Sequence, residues 1–245
     1  MPSPAPINRI VVADPAALAD MAAKRLMARI ESNPDRLAIC LTGGSSPRQL
    51  YQLLASEAWS KRIPWDRVHW FIGDERFVSP AEPLNNMAMA RRIFLDRFAP
   101  KERIHPIPTG MATPDQSADR YEQELKSFYG AAELDPARTL FDLVLMGIGP
   151  DGHTASLFPG YPAVNETRRW VVGVPKAHVE PFVPRVTLTL PALASCREML
   201  FELAGSEKRA ILARLSTDES LPASRARSLG ETVLLVDQAA MGETA

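Results

Sequence analysis

Residues 141–159, FDLVLMGIGPDGHTASLFP, restrict the fold more than any other stretch of the chain. Phe141 to Met146 is an apolar run broken only by Asp142, short enough for a strand. Gly147, Gly149 and Gly152 then bring the backbone round tightly, as residues that tolerate positive φ do. Asp151 and His153 sit on this turn with one residue between them. Thr154 to Phe158 reads as a short helix ended by Pro159-Gly160. Open α/β sheets place ligands where a buried strand ends in a glycine turn with ionisable groups. The turn is therefore the candidate reaction centre. Two other readings compete. GIGPDG matches G-x-G-x-x-G literally, but the next strand-like run, Trp170 to Val174, leads into Pro175 and Lys176 with no acid for a ribose. The plainer alternative is a tight turn with a surface histidine.

The rest of the chain alternates strands and helices. Ile7 to Val12 reads as a first strand, and Asp14-Pro15 starts a helix with Leu18, Met21, Ala22, Leu26 and Ile30 at helical spacing. Leu37 to Leu41 is continuously apolar, as buried parallel strands are. The loop Thr42-Gly43-Gly44-Ser45-Ser46-Pro47 follows, with Ser46 expected as N-cap and Gln49 completing a capping box. Free N–H groups at such a strand–loop–helix junction favour an anion, although no Walker sequence is present. Val68 to Ile72 is another strand, ending in Gly73-Asp74-Glu75-Arg76, a cluster that alone reads as a solvated turn. His69 inside this strand reads as a structural histidine. Asn85-Asn86 opens a helix to about Phe98, Ile104 to Ile107 reads as a short strand, and Pro114 to Tyr129 is an amphipathic helix. Trp170 to Val174, Arg185 to Leu190, Arg197 to Leu203 and Val233 to Val236 read as strands. A short helix starts at Pro191 and another runs from Glu207 to Leu215. With no linker and no repeat, the chain reads as one α/β domain over 1–245, a Rossmann-like, largely parallel sheet flanked by helices.

Composition narrows the function. The net charge of −1 argues against broad binding of nucleic acid or an anionic membrane. No apolar run reaches the ~18 residues of a membrane span, and MPSPAPINRI lacks the pattern of a signal peptide. Cys40 and Cys196 stand alone in apolar surroundings, without C-x-x-C or a His/Cys cluster, so reduced cysteines in a cytoplasmic protein and no metal are expected. The 22 prolines in 245 residues indicate many firm turns.

Three turns, 42–47, 73–76 and 147–153, follow three strand-like runs, and a parallel sheet can bring such ends to one edge. Together with Lys176 and Arg185 they assemble an anion cradle, cations, a carboxylate and a histidine. Serines 45, 46 and 156 read as anion contacts or caps rather than nucleophiles. A small phosphorylated metabolite, with acid–base chemistry by His153, fits this set best.

LTGGSSPRQLY, HWFIGDERFV, DLVLMGIGPDGHTASLFPG and RVTLTLPAL, in this order and spacing, resemble the glucosamine-6-phosphate isomerase/6-phosphogluconolactonase family over roughly residues 10–237. DGHTASLFP is the most specific part. The resemblance implies hydrolysis of 6-phospho-D-glucono-1,5-lactone in the oxidative pentose phosphate pathway, with a phosphorylated sugar lactone as partner and no metal or organic cofactor. A cytoplasmic monomer is the expected state. His153 is then expected to activate water, with Asp151 or Asp74 orienting it or binding sugar hydroxyls. Gly43, Gly44 and Ser45 are expected to hold the phosphate with Arg76 and Arg185, and Lys176 to contribute to substrate binding. Backbone N–H groups near Gly149 are expected to face the oxyanion. The loop from Lys176 to Pro184 is longer than the family's usual proline-rich one. An amino-sugar-phosphate deaminase of the same fold remains the first rival, yet such enzymes typically carry D-E-Y where this chain has Asp74-Glu75-Arg76, and an asparagine at Asp151. A non-catalytic sugar-phosphate sensor is the second, lacking any evident DNA-binding helix pair.

Overall fold

A computed structural model describes residues 7–242. Among the described residues, nine strands form two sheets. β1 (Ile7–Val12), β2 (Leu37–Leu41), β3 (Val68–Ile72), β5 (Phe141–Met146), β8 (Cys196–Leu203) and β9 (Glu231–Asp237) make a six-stranded sheet in the order β1-β9-β8-β5-β2-β3. Every pairing in it is parallel. β4 (Asp74–Arg76), β6 (Val171–Val174) and β7 (Arg185–Leu188) form a small antiparallel sheet, β4-β7-β6. The α/β class and the parallel main sheet expected from the sequence are present, and the second sheet is new.

Burial explains the composition of the central strands. β2, β3 and β5 are covered on both faces and are buried at every position, so LAICL, VHWFI and FDLVLM carry no alternating polar face. The Pro15–Ser32 helix lies over the sheet and packs Leu18, Ala22, Leu26 and Ile30 into the core. Asp14 caps it by accepting the N–H of Ala17, as its position before Pro15 implies. The Pro114–Tyr129 helix buries Ala118, Tyr121 and Leu125 and ends at Gly130, whose φ of 81° suits only glycine readily. Cys40 and Cys196 are buried and free. No helix among the described residues is long and apolar enough to cross a membrane.

Several local expectations are corrected. Residues 154–158 are not a helix: Ala155 has φ 48°, and Thr154 spends its hydroxyl on the carbonyl of Gly147. The Asn86–Ala90 helix starts at a genuine Asn85 cap but passes through a π-helical turn, Arg91–Leu95, before Asp96–Phe98. From Ile104 to Ile107 only Ile104 pairs, bridging to Trp70. His69 is structural, as expected. Its ring stacks on His105 at 5.0 Å, and a directional chain runs from Arg103 through His69 and His105 to Glu124. Burial, with the charges of His105 and Arg103, lowers its pKa to about 4.

Glu202 on β8 is buried, and neither of its carboxylate oxygens has a hydrogen-bond partner among the described residues. Burial alone pushes its pKa up to about 8. The folded state therefore holds a proton that the unfolded chain releases from about pH 4.5. This contribution to stability is complete below that pH and fades as pH rises towards 8. Glu202→Gln should be more stable than the parent at pH about 9, by ~1–3 kcal/mol, with the difference closing near pH about 5. Urea unfolding at the two pH values measures this.

Candidate active site

The main sheet reverses direction between β2 and β5. From β2 the chain moves outward to β3, then returns to the other side of β2 as β5. Such a switch point opens a crevice at the carboxyl ends of the strands. The loops after β2, β3 and β5 meet there, as expected. The cleft is lined by residues 42–46, Asp74, Arg76, Asn86, Gly147 to Gly149, His153, Ala155 and Lys208.

The loop after β2 is fixed from beneath by Tyr51. Its buried phenol donates to the carbonyl of Thr42 and accepts that residue's N–H. A Cβ at Gly43 would fall 2.0 Å from Oδ1 of Asn86, so only glycine lets the two segments approach. Gly44 has φ 87°. Ser46 does not cap the next helix: Pro47 holds the N-cap position without a side-chain bond, and Arg48 donates its N–H to the carbonyl of Ser45. The expected capping box is absent. The hydroxyls of Ser45 and Ser46 therefore make no hydrogen bond to another described residue and remain available to a ligand.

Asp74 and Glu75 are not a solvated turn. Glu75 is fully buried and accepts the N–H groups of Asn86 at 2.6 Å and Met87 at 2.9 Å, which ties β4 to the start of the Asn86–Ala90 helix. Burial, opposed by these N–H groups, pushes its pKa up to about 8. Asp74 accepts the Ser156 hydroxyl at 2.6 Å, so Ser156 spends its donor on the protein's own carboxyl group rather than on a ligand anion. Arg76 lines the cleft, donates to the carbonyl of Leu84, and leaves its buried Nε without a partner. Arg185 pairs with Arg76 across the β4–β7 ladder. It is buried, donates to the carbonyl of Pro181, and likewise leaves its Nε unpartnered. Burial lowers its pKa to about 10, partly offset by Asp74. Arg185 does not itself line the cleft, and Lys176 is exposed outside it.

The turn after β5 builds the ionisable pair. Gly149 donates its N–H to the carbonyl of His153. That N–H is thus spent within the turn, which leaves the expected oxyanion contact to other backbone N–H groups near Gly149. A Cβ on Gly149 would lie 2.1 Å from the imidazole, so glycine is what admits the ring. Nδ1 of His153 is 2.5 Å from Oδ1 of Asp151. Burial alone would raise the Asp151 carboxyl, but hydrogen bonding and charge from His153, joined by His178, outweigh it and hold the acid well below the usual carboxylate range. An ionised Asp151 accepts only, so Nδ1 carries a proton, and in the neutral imidazole the lone pair is on Nε2. No described residue hydrogen-bonds to Nε2. A base held in one tautomer by a carboxylate, beside a cradle of free donors, suits attack of water on an electrophilic carbon.

Two participants were not foreseen as site residues. Lys208 lines the cleft and donates from Nζ to the carbonyl of Ile148 at 2.9 Å. Its sequence signal was a cation soon after the strand-ending glycine of LAGSEKR, the pattern already noted after β3. Asn86 donates from Nδ2 to the carbonyl of Asp74. A second hollow, lined by Asn33, Arg36, Phe128, Arg138, Asp142 and Arg197, lies at the amino ends of β2, β5 and β8. It contains neither a histidine nor a glycine turn.

A family profile described as glucosamine-6-phosphate isomerases/6-phosphogluconolactonase matches residues 13–234. The chain is similar to the 6-phosphogluconolactonase of Synechocystis sp., with 41% identity over 209 residues and 82% of each chain covered. It is 37% identical over 241 residues to the 6-phosphogluconolactonase of Mycobacterium leprae, covering 94% of this chain and 95% of that one. The solved structure of 6-phosphogluconolactonase from Trypanosoma cruzi superposes with a TM-score of 0.84 at 31% identity, over 97% of this chain and 96% of that one.

Gly149→Ala should displace the imidazole and break its bond to Asp151. In ¹⁵N NMR the parent should show His153 as the single Nδ1–H tautomer near pH about 8, and the variant a mixture of tautomers. An unchanged spectrum would show that the glycine is not what seats the ring.

Proposed function

The chain belongs to the glucosamine-6-phosphate isomerase/6-phosphogluconolactonase family, and from that premise we propose that it hydrolyses 6-phospho-D-glucono-1,5-lactone to 6-phosphogluconate, a step of the oxidative pentose phosphate pathway. The observation that carries the reading is the His153–Asp151 pair, with Nε2 unengaged, at the switch-point cleft.

His153 Nε2 takes a proton from water as its oxygen attacks C1 of the lactone. The tetrahedral adduct then collapses, the C1–ring-oxygen bond breaks, and Nε2 returns its proton to the departing oxygen. That oxygen becomes the C5 hydroxyl, and the new acid ionises. Asp151 holds the Nδ1–H tautomer throughout and stabilises the transient imidazolium. The phosphate is assigned to the 42–46 loop, where Gly43 and Gly44 allow close backbone approach and the hydroxyls of Ser45 and Ser46 are unspent. Arg76 supplies a charge-assisted donor from the cleft wall, and Lys208 a second cation. Arg185 backs Arg76 from the neighbouring strand, and its unpartnered Nε supports a share in the same anion's field.

Proton transfer between C1 and C2 of an amino-sugar phosphate is the alternative within the family. It needs a carboxylate free to act as base. Asp74 already accepts the Ser156 hydroxyl, and Arg76 and Lys208 line the same cleft, which disfavours an ammonium-bearing substrate.

His153→Ala should lower kcat by about 10²-fold or more while changing the affinity for 6-phosphogluconate far less. Acid release from freshly made lactone, followed by pH-stat above the uncatalysed rate, measures the first, and calorimetry the second. The same preparation should release no ammonia from glucosamine-6-phosphate. Ammonia without accelerated lactone opening would move the chain to the isomerase and deaminase branch.

Arg76→Ala and Lys208→Ala should each weaken phosphorylated ligands by roughly 1.5–3 kcal/mol and spare unphosphorylated gluconolactone. Equal losses on the two lactones would remove these cations from the phosphate site.

A further inference from the structure

Asp151 has two oxygens, and only one faces His153. The other, Oδ2, is 2.9 Å from Nε2 of His178, which lies in the loop between β6 and β7. An ionised Asp151 requires Nε2 to be the donor, so His178 carries its proton there when neutral and turns Nδ1 away from the carboxylate. The two imidazoles also share a second neighbour. Phe158, which is buried, has its ring centroid 5.0 Å from that of His153 and 5.0 Å from that of His178. Tyr161 flanks His178 at 5.4 Å.

The loop is anchored for this purpose. Ala177, adjacent to His178, is fully buried with Phe158 and Val174 in a small apolar cluster separate from the main core, and Tyr161 and Val179 pack against it. His178 therefore reaches Asp151 from a segment pinned on both sides. Without that donor, the Asp151 carboxylate would be held only by the turn it shares with His153, through the N–H and Nδ1–H of one residue.

We propose that His178 is a positioning residue for the hydrolysis: it clamps the outer oxygen of Asp151, so that the inner oxygen is aimed at Nδ1 of His153. The proposal rests on His153 acting as base. His178 touches no reacting atom in this arrangement. The hydrogen bond that His178 gives to Oδ2 draws on the same negative charge that pairs with the His153 imidazolium. The other ionisable groups around this arrangement are Tyr161 against the His178 ring, and Lys176 and Glu180 on the same loop. Asp74, Arg76 and Lys208 line the cleft with His153.

The test compares wild type, His178→Ala, His178→Gln and His153→Ala on 6-phosphogluconolactone over a range of pH, with folding checked by circular dichroism. In His178→Ala, kcat should fall roughly 3- to 30-fold with KM little changed, less than the full worth of a hydrogen bond to a charged group because the loss reaches the base only through Asp151. The acid limb of its kcat/KM profile should move to higher pH, because His153 then holds its proton more tightly against an unshared Asp151. His178→Gln places an amide donor on Oδ2 and should recover most of kcat. Its acid limb should return towards the wild-type position, since the amide restores the bond to Oδ2. If both variants match wild type in kcat and in the limb while His153→Ala is inactive, the clamp is overturned and the base assignment stands. A loss in His178→Ala that glutamine does not repair, with the limb unmoved, reduces the residue to loop packing and also overturns it. Wild-type turnover by His153→Ala would overturn the base assignment, and the clamp with it.

Discussion

The short ladder between β2 and β5 is the constraint on which the cleft depends. Ile39 pairs with Leu143 and Cys40 with Val144, and the pairing goes no further. Yet β2 continues against β3 to Leu41 and Ile72, and β5 continues against β8 to Met146 and Phe201. Each strand is held to its end by its outer neighbour and released by its inner one. Their carboxyl ends part, and the loops that leave them form the two lips of one opening. The phosphate-type loop stands on one lip and the His153 turn on the other. The strand order makes the opening, and the glycines at 43 and 149 let Asn86 and the imidazole fill it without collision.

Where the ladder is missing, buried carboxylates take over as ties. Asp142 on β5 accepts the N–H of Ala38 on β2 and the amide of Asn33, joining the two strands at the end away from the cleft. Glu75 ties β4 to the helix carrying Asn86. Asp237 accepts the N–H of Gly205, three residues before Lys208, and so places the cation that reaches across to Ile148. Glu198 is buried on β8 but meets two guanidiniums, Arg25 and Arg29, of the helix above it. A buried charge is tolerable when its lone pairs are filled. Glu202 is the exception, with both oxygens unpartnered among the described residues.

Much of this was legible in the chain. Continuous apolar runs announced the buried parallel strands, and Asp14-Pro15 marked a helix start by a mechanism that acts within a few residues. The meeting of the three turns followed from parallel topology alone. What failed depended on partners distant in sequence. The 154–158 segment has helix-like composition, but a contact from Thr154 back to Gly147 and a left-handed Ala155 hold it as a turn. Ser46 looked like a cap, yet the loop is set by Tyr51 and Asn86 from two helices. Asp74 and Glu75 looked solvated because nothing nearby in sequence shows that Ser156 and the start of the Asn86–Ala90 helix wait for them. His178 and Lys208 stand 27 residues from Asp151 and 60 from Ile148, separations at which no local pattern registers.

Charge accounting across the cleft bears on how the proposed reaction is completed. A phosphate monoester brings close to two negative charges, and Arg76 and Lys208 bring two positive ones to the same cleft, with Arg185 behind Arg76. The His153 imidazolium formed during attack is matched by Asp151. The alkoxide at C1 is then the one developing charge without a dedicated cation. Gly149 has spent its N–H on the carbonyl of His153, so it does not answer this charge. The imidazolium is the cation that forms as this charge develops, and it must hand its proton to the ring oxygen for the adduct to collapse. Stabilisation of the alkoxide and protonation of the leaving oxygen thus draw on the same group in sequence. A ring held in one orientation performs both only if its carboxylate partner does not turn. The geometry around Asp151, fixed from the turn on one side and from the β6–β7 loop on the other, meets that requirement.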